Sequence, residues 1–430
     1  MTETRTVTAE NRLRGEIVVP GDKSISHRSI MFGSLATGES VVHGFLQGED
    51  NHATLNAFRS MGVQIENLPD GVLRIVGKGL HGLQEPGDVI DCGNSGTTMR
   101  LMTGLLSGQN FFSVLSGDQY LRKRPMKRVV GPLAGMGADI WGRDGGEKAP
   151  LAIRGCQLRG TAYSSPIASA QVKSALMLAG LYADASTTVL EPHLSRDHSE
   201  RMLRYLGAEL ERFEGGVTIQ PEPNLAGKEI HVPGDISSAA FFLVACLISP
   251  DAEVLIRNVG VNPTRSGIVD VLQEMGGDIE LLNRRELSGE PVADLLVRSS
   301  RLRGIEIGGD VVPRAIDEFP VISVAAAFAE GTTTIRDAEE LRVKETDRIA
   351  AMVSELRKLG AAIEARQDGM VIEGGETLQG AVVNSHGDHR IAMSLAVAAL
   401  NAQGEVTIED TGCTATSFPD FWELLQSIKE

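Results

Sequence analysis

Val19-Pro-Gly-Asp-Lys-Ser-Ile-Ser26 recurs 213 positions later as Val232-Pro-Gly-Asp-Ile-Ser-Ser238. In each copy a Val-Pro step ends an extended stretch, because proline has no N–H for a strand ladder. The Gly-Asp that follows makes a turn, and a helix of small and apolar residues begins behind a capping side chain. The same step met twice predicts two similar domains. Residues 20–233 form one domain. Residues 1–19 together with 234–430 form the other. Two crossings of the chain join them and make a natural hinge.

A shorter signal divides each half again. Met61-Gly-Val-Gln-Ile65, Met136-Gly-Ala-Asp-Ile140, Leu206-Gly-Ala-Glu-Leu210, Met275-Gly-Gly-Asp-Ile279 and Leu359-Gly-Ala-Ala-Ile363 each close an amphipathic stretch and open an alternating one. Glycine in that place reads as a helix C-cap followed by a strand. The spacing sets a unit of roughly 70 residues.

A second element recurs six times, at 26–36, 95–106, 168–181, 237–247, 319–329 and 389–400. Each is a helix apolar on nearly every side, which predicts burial. All six are too short and too interrupted to span a membrane. The unit therefore reads βαβαββ. The expected class is α/β, with two similar domains of three units each. The sixth copy ends early, in a helix at 419–428. Candidate strands at 4–8 and 15–19 are expected to complete it from the N-terminus.

Composition bounds the function. The 430 residues carry 41 Lys+Arg against 57 Asp+Glu, a net charge of −16. Such a chain is repelled by nucleic acid and by anionic membranes. Aromatics at 4% also argue against stacking on bases. The start, Met1-Thr-Glu-Thr-Arg5, is polar, so no leader is expected. Cys92, Cys156, Cys246 and Cys413 are scattered without a CxxC, which fits reduced thiols in the cytoplasm. His386 and His389 have no third ligand close in sequence, so no metal is expected.

The chemistry is expected at helix starts, where unpaired N–H groups attract anions. In Pro20-Gly-Asp-Lys-Ser-Ile-Ser-His-Arg28, Lys23 lies at the turn, Ser24 near the cap and Arg28 one turn inside. The fourth copy has Ile236 and Phe241 instead of Lys23 and Arg28, so the fold does not require these cations. Cys92-Gly-Asn-Ser-Gly-Thr-Thr-Met-Arg100 resembles a phosphate-binding nest. It matches neither the dinucleotide nor the P-loop pattern. Arg122-Lys-Arg-Pro-Met-Lys-Arg128 follows, a basic run in an acidic chain and therefore an anion-site candidate rather than a solvated face. Ser169-Ala-Gln-Val-Lys173 and Ser195-Arg-Asp-His-Ser-Glu200 add polar groups that ordinary capping could also explain.

In the second half, Asp317 stands where it could cap a helix. Lys344 and Arg348 are four apart and share a face if Leu341–Arg348 is helical, with Glu345 between them. Arg390 in Gly387-Asp-His-Arg390 reads equally as a partner of Asp388 or as an anion clamp. Together these motifs describe an enzyme that binds phosphate and carboxylate groups between two domains. No metal constellation and no Ser-His-Asp or Cys-His signature accompanies them.

These strings resemble one family, the 3-phosphoshikimate 1-carboxyvinyltransferases or EPSP synthases. The resemblance rests on residues 20–29, Gly93–Arg100, Lys123-Arg-Pro-Met126, Ser169–Lys173, Arg342–Arg348, Gly387–Arg390 and Ser417-Phe-Pro-Asp-Phe421, in the family's order. Ser169–Lys173 and Arg196-Asp-His-Ser-Glu200 look like the family's second class, which includes glyphosate-tolerant members. The resemblance implies two domains of three βαβαββ units, inside-out α/β barrel-like. It implies transfer of the enolpyruvyl group of phosphoenolpyruvate to the 5-hydroxyl of shikimate 3-phosphate, releasing phosphate on the way to chorismate and the aromatic amino acids. It implies no metal or organic cofactor, and a cytoplasmic monomer whose partners are small anionic substrates.

Residue by residue, the resemblance assigns Lys23 to both substrates. It assigns Ser24, Arg28, Ser169, Gln171, Arg196, Asp317 and Lys344 to shikimate 3-phosphate. Asn94, Gly96, Arg124, Gln171, Arg348 and Arg390 go to phosphoenolpyruvate. Asp317 resembles the group that accepts the hydroxyl proton, and Glu345, with Lys23, the group that handles the proton at C3. Thr416 departs from a lysine, and Ala170 from a serine, of the first class. The rival readings are enolpyruvyl transfer to UDP-N-acetylglucosamine and a non-catalytic anion-binding protein. The first would put a reactive cysteine on the loop 110–128, which has none. The second gains nothing from Asp317 and Glu345 among cations.

Overall fold

The computed structural model describes residues 3–9 and 12–430. Backbone contacts divide the chain into two compact units. The first is Gly21–Val232 with Glu286–Glu290. The second is the N-terminal stretch through Pro20, Pro233–Arg285 and Pro291–Glu430. The repeat reading put 286–290 with the second half. These residues form the tip of a hairpin, and that tip groups with the first unit.

The five repeated glycines explain the regularity. Gly62, Gly137, Gly207, Gly276 and Gly360 have φ of +83°, +95°, +113°, +97° and +92°. A Cβ is strained there, so glycine ends the helix and turns the chain into the next strand. The helices closed in this way are Glu49–Ser60, Lys127–Gly135, His198–Leu206, Gly267–Glu274 and Arg348–Lys358. The apolar helices lie at Lys23–Leu35, Gly96–Ser107, Ala170–Gly180, Ile236–Ile248, Phe319–Ala327 and His389–Ala399. They are buried along most of their length.

Each unit holds three small sheets around its own core. In the first unit one sheet runs Ile90–Asp91, Phe112–Ser116, Lys148–Arg154, Asp139–Gly142. Its first pair is parallel and the others antiparallel. A parallel pair needs a crossover, and the buried helix Gly96–Ser107 supplies it. Two further sheets repeat this order. The second unit repeats it with one change. Its three-stranded sheet runs Thr4–Val7, Val406–Glu409, Val382–Asn384, and the N-terminal strand pairs antiparallel with Val406–Glu409.

Only one of the two N-terminal strands completes the sixth repeat. The other, Arg14–Val18, runs parallel to Glu253–Arg257 and leads the fourth sheet. Its inward residue Ile17 joins Val254 and Ile256 in the core that also takes Val7 of the other strand. The first unit mirrors this. Glu229–His231, just before the second Val-Pro step, pairs with Val41–His43 of the first sheet. At both Val-Pro-Gly-Asp steps the leading strand stays in one unit and the helix after it belongs to the other.

Among the described residues no helix is long and apolar enough to cross a membrane. All four cysteines are free thiols, with Cys92 and Cys246 buried.

Candidate active site

In the first unit, helix Lys23–Leu35 is capped by Asp22, whose carboxylate accepts from Ile25 N at 2.8 Å. Ser24 is therefore not the cap. Lys23 pairs with Asp50, and Asn51 Nδ2 donates to the Lys23 carbonyl at 3.0 Å. Arg28 is buried. Its Nε donates to Ser199 Oγ (2.7 Å), Nη2 to Ser174 Oγ (2.8 Å) and Nη1 to Ser24 O (2.9 Å). Among the described residues no carboxylate pairs with it directly. Burial pushes its pKa down to about 10, against the pull of Glu200 and Asp22. A guanidinium bonded to hydroxyls and a carbonyl, with Glu200 and Asp22 acting only at a distance, can take an anion beside Ser24.

Helix Gly96–Ser107 is capped by Ser95. A Cβ on Gly96 would lie 2.8 Å from Arg100 Nη1 and 2.9 Å from Arg124 Nη1. Both guanidinium groups therefore sit against the helix start because position 96 has no side chain. Arg100 is buried, and its Nη1 donates to Gln171 Oε1 at 2.7 Å. Gln171 Nε2 in turn donates to Thr97 Oγ1 at 3.1 Å. Asn94 Nδ2 donates to Asp118 Oδ2 at 2.7 Å, and Asp118 Oδ1 accepts from the amides of Tyr120 and Leu121. One carboxylate thus braces both Asn94 and the turn Leu121–Lys123 that precedes Arg124.

Ser169 caps helix Ala170–Gly180. Lys173 lies inside, its Nζ 2.6 Å from Glu191 Oε1 and 2.8 Å from Glu200 Oε1. Burial alone would lower its pKa, but Glu200 and Glu191 outweigh that and hold it above the ordinary lysine value. Glu191 also accepts from Ser195 N (3.1 Å) and Ser195 Oγ (2.5 Å). Lys173 is thus a brace for the loop that carries the half-buried Arg196.

In the second unit three motif cations converge on Asp317. Arg348 Nη1 lies 3.4 Å from Asp317 Oδ1, Lys344 Nζ 3.7 Å from the same oxygen, and Arg390 Nη2 4.0 Å from Oδ2. Arg390 Nη1 donates to the Asp317 carbonyl at 3.2 Å. Glu345 Oε2 accepts from Arg348 Nη2 at 2.6 Å. Arg348 is buried and anchored by Asp388, whose Oδ2 accepts from Nε at 2.7 Å. Asp388 also caps the last buried helix, accepting from Arg390 N at 2.8 Å. Arg348 stays charged: burial opposes it, but Asp388, Glu345 and Asp317 push its pKa up. Burial lowers the pKa of Lys344, with Asp317 opposing.

Three local expectations are corrected here. Asp317 does not cap. Glu318 occupies the N-cap position without a capping bond, and the Asp317 carboxylate faces the cations instead. Lys344 and Arg348 do not share a helical face. Lys344 ends the 3-10 turn Glu339–Val343, and the helix starts at Arg348 behind the Asp347 cap. They meet at Asp317 because both flank that cap. Arg390 is not the partner of the Asp388 carboxylate, which is taken by Arg348 and by the Arg390 amide.

Sequence reasoning also missed supporting residues. Asp50, Arg100, Asp118 and Asp388 each hold a motif residue. Arg100, Asp118 and Asp388 stood inside or beside motif strings, but nothing in their spacing told a brace from a ligand. The fourth helix start shows the contrast. Where Lys23 and Arg28 are absent, Arg265 fills in from another loop, with Nη1 2.8 Å from Glu318 Oε1 and Nη2 3.2 Å from Asp235 Oδ1. That cation is buried against two carboxylates, a structural pairing.

Comparison with known proteins places the chain in one family. The family model described as EPSP synthase (3-phosphoshikimate 1-carboxyvinyltransferase) matches residues 7–425. The chain is 68% identical over 430 residues to the 3-phosphoshikimate 1-carboxyvinyltransferase of Syntrophotalea carbinolica, covering all of both chains. It is 69% identical over 417 residues to that of Geobacter sulfurreducens, covering 97% of each. The solved EPSP synthase of Acinetobacter baumannii superposes with a TM-score of 0.90 at 46% identity, over 100% of this chain and 98% of that one. The chain belongs to the EPSP synthase (3-phosphoshikimate 1-carboxyvinyltransferase) family.

Proposed function

We propose that this chain transfers the enolpyruvyl group of phosphoenolpyruvate to the 5-hydroxyl of shikimate 3-phosphate, and that the motif residues carry it. The observation that supports this most is the gathering of Lys344, Arg348 and Arg390 around Asp317, with Glu345 on Arg348. A phosphate or carboxylate binder needs the cations. It does not need two carboxylates among them, whereas a reaction that moves two protons does.

In this reading the 5-hydroxyl oxygen bonds to C2 of phosphoenolpyruvate and gives its proton to Asp317. C3 takes a proton from Glu345 in its protonated form, with Lys23 assisting. The resulting tetrahedral centre breaks its C–O bond to phosphate and returns a proton from C3 to the Glu345 carboxylate, restoring the double bond. Arg124, Arg348, Arg390 and Lys23 hold the phosphoenolpyruvate phosphate and carboxylate. Asn94, Gly96 and Gln171 line its place. Lys23, Ser24, Arg28, Ser169, Gln171, Arg196, Asp317 and Lys344 hold shikimate 3-phosphate. Preorganised charge of this kind stabilises an anionic transition state without reorganisation. The reaction proceeds without metal or organic cofactor, in a cytoplasmic monomer.

Growth tests the reading. A bacterial strain whose own EPSP synthase gene is deleted should grow without aromatic amino acids when it expresses this chain. It should not grow when it expresses the Asp317→Ala variant at equal abundance. Failure of the unaltered chain to restore growth would count against the reading.

A further inference from the structure

At the ends of two paired strands of the first sheet, two imidazoles and a carboxylate meet. His43 ends the strand Thr37–His43, and Glu229 and His231 lie on its parallel neighbour, with His231 directly opposite His43. The two rings stack at 4.7 Å between centroids, tilted by 12°. Glu229 Oε1 lies 2.9 Å from His43 Nε2 and 3.5 Å from His231 Nε2. One ligand atom from each residue falls within 4.8 Å of the other two.

We propose that His43, Glu229 and His231 form a binding site for a borderline divalent transition-metal ion, of the Zn2+, Co2+ and Ni2+ class. The proposal does not depend on the assigned reaction. A metal bound at about 2.0–2.2 Å by nitrogen and oxygen spaces tetrahedral donors by roughly 3.3 Å, and the 2.9 and 3.5 Å separations bracket that value. His43 Nε2 has no contact with solvent and makes no hydrogen bond, although a carboxylate oxygen faces it. An ion beside both would satisfy it once the stacked, half-exposed rings turn so that each in-plane lone pair meets it. Two imidazoles with one carboxylate select first-row transition ions over Mg2+ and Ca2+, which want all-oxygen shells.

The backbone holds the donors in register. Val232 N donates to His43 O at 2.9 Å, His231 N to Ser288 Oγ at 2.9 Å, and the Tyr205 hydroxyl to Glu229 O at 2.8 Å. Side chains 36%, 61% and 44% exposed leave room for water to complete the shell. The sequence hid this set because His43 and His231 are 188 positions apart and meet only through strand pairing.

The test is titration of the purified full chain with Co2+, followed by its visible absorption and by equilibrium dialysis, then by displacement with Zn2+. The wild-type chain should take up one equivalent that the double variant His43→Gln, His231→Gln binds at least about tenfold more weakly. Glu229→Gln, at an exposed side chain, should also weaken it. Zn2+ should raise the melting temperature of the wild-type chain, reversibly by a chelator, and leave that of the double variant unmoved. Equal uptake by wild type and double variant would overturn the proposal, as would no uptake by the wild type.

Discussion

Asp388 offers a measurable partition between charge and cap. Its side chain is buried, and it faces Arg348, which is 1% exposed. Removing one partner of a buried ion pair costs about 3–5 kcal/mol. Arg348 keeps Glu345 at 2.6 Å and Asp317 at 3.4 Å, so Asp388→Asn should fall near the bottom of that range, at about 3 kcal/mol. The asparagine oxygen can still accept from Arg390 N. Asp388→Ala loses that cap as well, for about 1 kcal/mol more. Either loss is a large share of a total stability of about 5–15 kcal/mol. The chain has two tryptophans, Trp141 in the first unit and Trp422 in the second. In a Trp141→Phe background, urea unfolding followed by Trp422 fluorescence reports the unit that holds Asp388. An asparagine variant within about 0.5 kcal/mol of its parent, the range of inert surface changes, would refute the ion-pair argument. Equal midpoints for the two variants would refute the cap.

Further outcomes follow from the same geometry. Lys23→Met should keep the fold, since the fourth repeat carries Ile236 at that point, yet lose most turnover. Asp317→Ala should lower turnover by about 100- to 10,000-fold, the span of general acid–base catalysis, with near-wild-type circular dichroism. Rates at the wild-type level would show that either assignment is wrong. Two buried histidines of the first unit should shape its stability against pH. Burial holds His27 neutral, well below its ordinary 6.5, so stability should fall as pH drops below about 6.5, where only the unfolded chain takes the proton. His198 moves the other way: burial opposes its charge, but Glu290 at 2.8 Å raises its pKa. Its contribution is full below about 6.5 and is lost as pH rises through the raised value. Trp141 fluorescence should show His27→Gln flattening the acid side and His198→Gln the alkaline side, and unchanged profiles would contradict both assignments. Arg100→Leu should free Gln171 and raise KM for phosphoenolpyruvate more than it lowers kcat. A pure loss of stability, with kinetics unchanged in the folded fraction, would make Arg100 structural only.

Local grammar carried most of the fold. The five capping glycines and the six apolar helices are short-range patterns, and each appears within two or three residues of its expected bounds. What local grammar could not decide was partner choice. Arg14–Val18 and Thr4–Val7 look alike as isolated strands and both bury residues in one core, yet the first pairs with Glu253–Arg257 and the second with Val406–Glu409, a choice no local pattern records. The motif residues were legible as cations at helix starts. Their geometry was not, because it is set by carboxylates distant in sequence. Asp388 draws Arg348 inward, and Asp317 receives Lys344 and Arg390 across 27 and 73 positions. The negative total charge was likewise a poor guide to the site. Seven motif cations, Lys23, Arg28, Arg124, Arg196, Lys344, Arg348 and Arg390, are half-buried or buried, so the total does not say where these charges sit.

Phosphate release tests the central claim most directly. The purified chain should release inorganic phosphate from phosphoenolpyruvate when shikimate 3-phosphate is supplied, and not when UDP-N-acetylglucosamine replaces it. No release with shikimate 3-phosphate, or release only with the nucleotide sugar, would contradict the account.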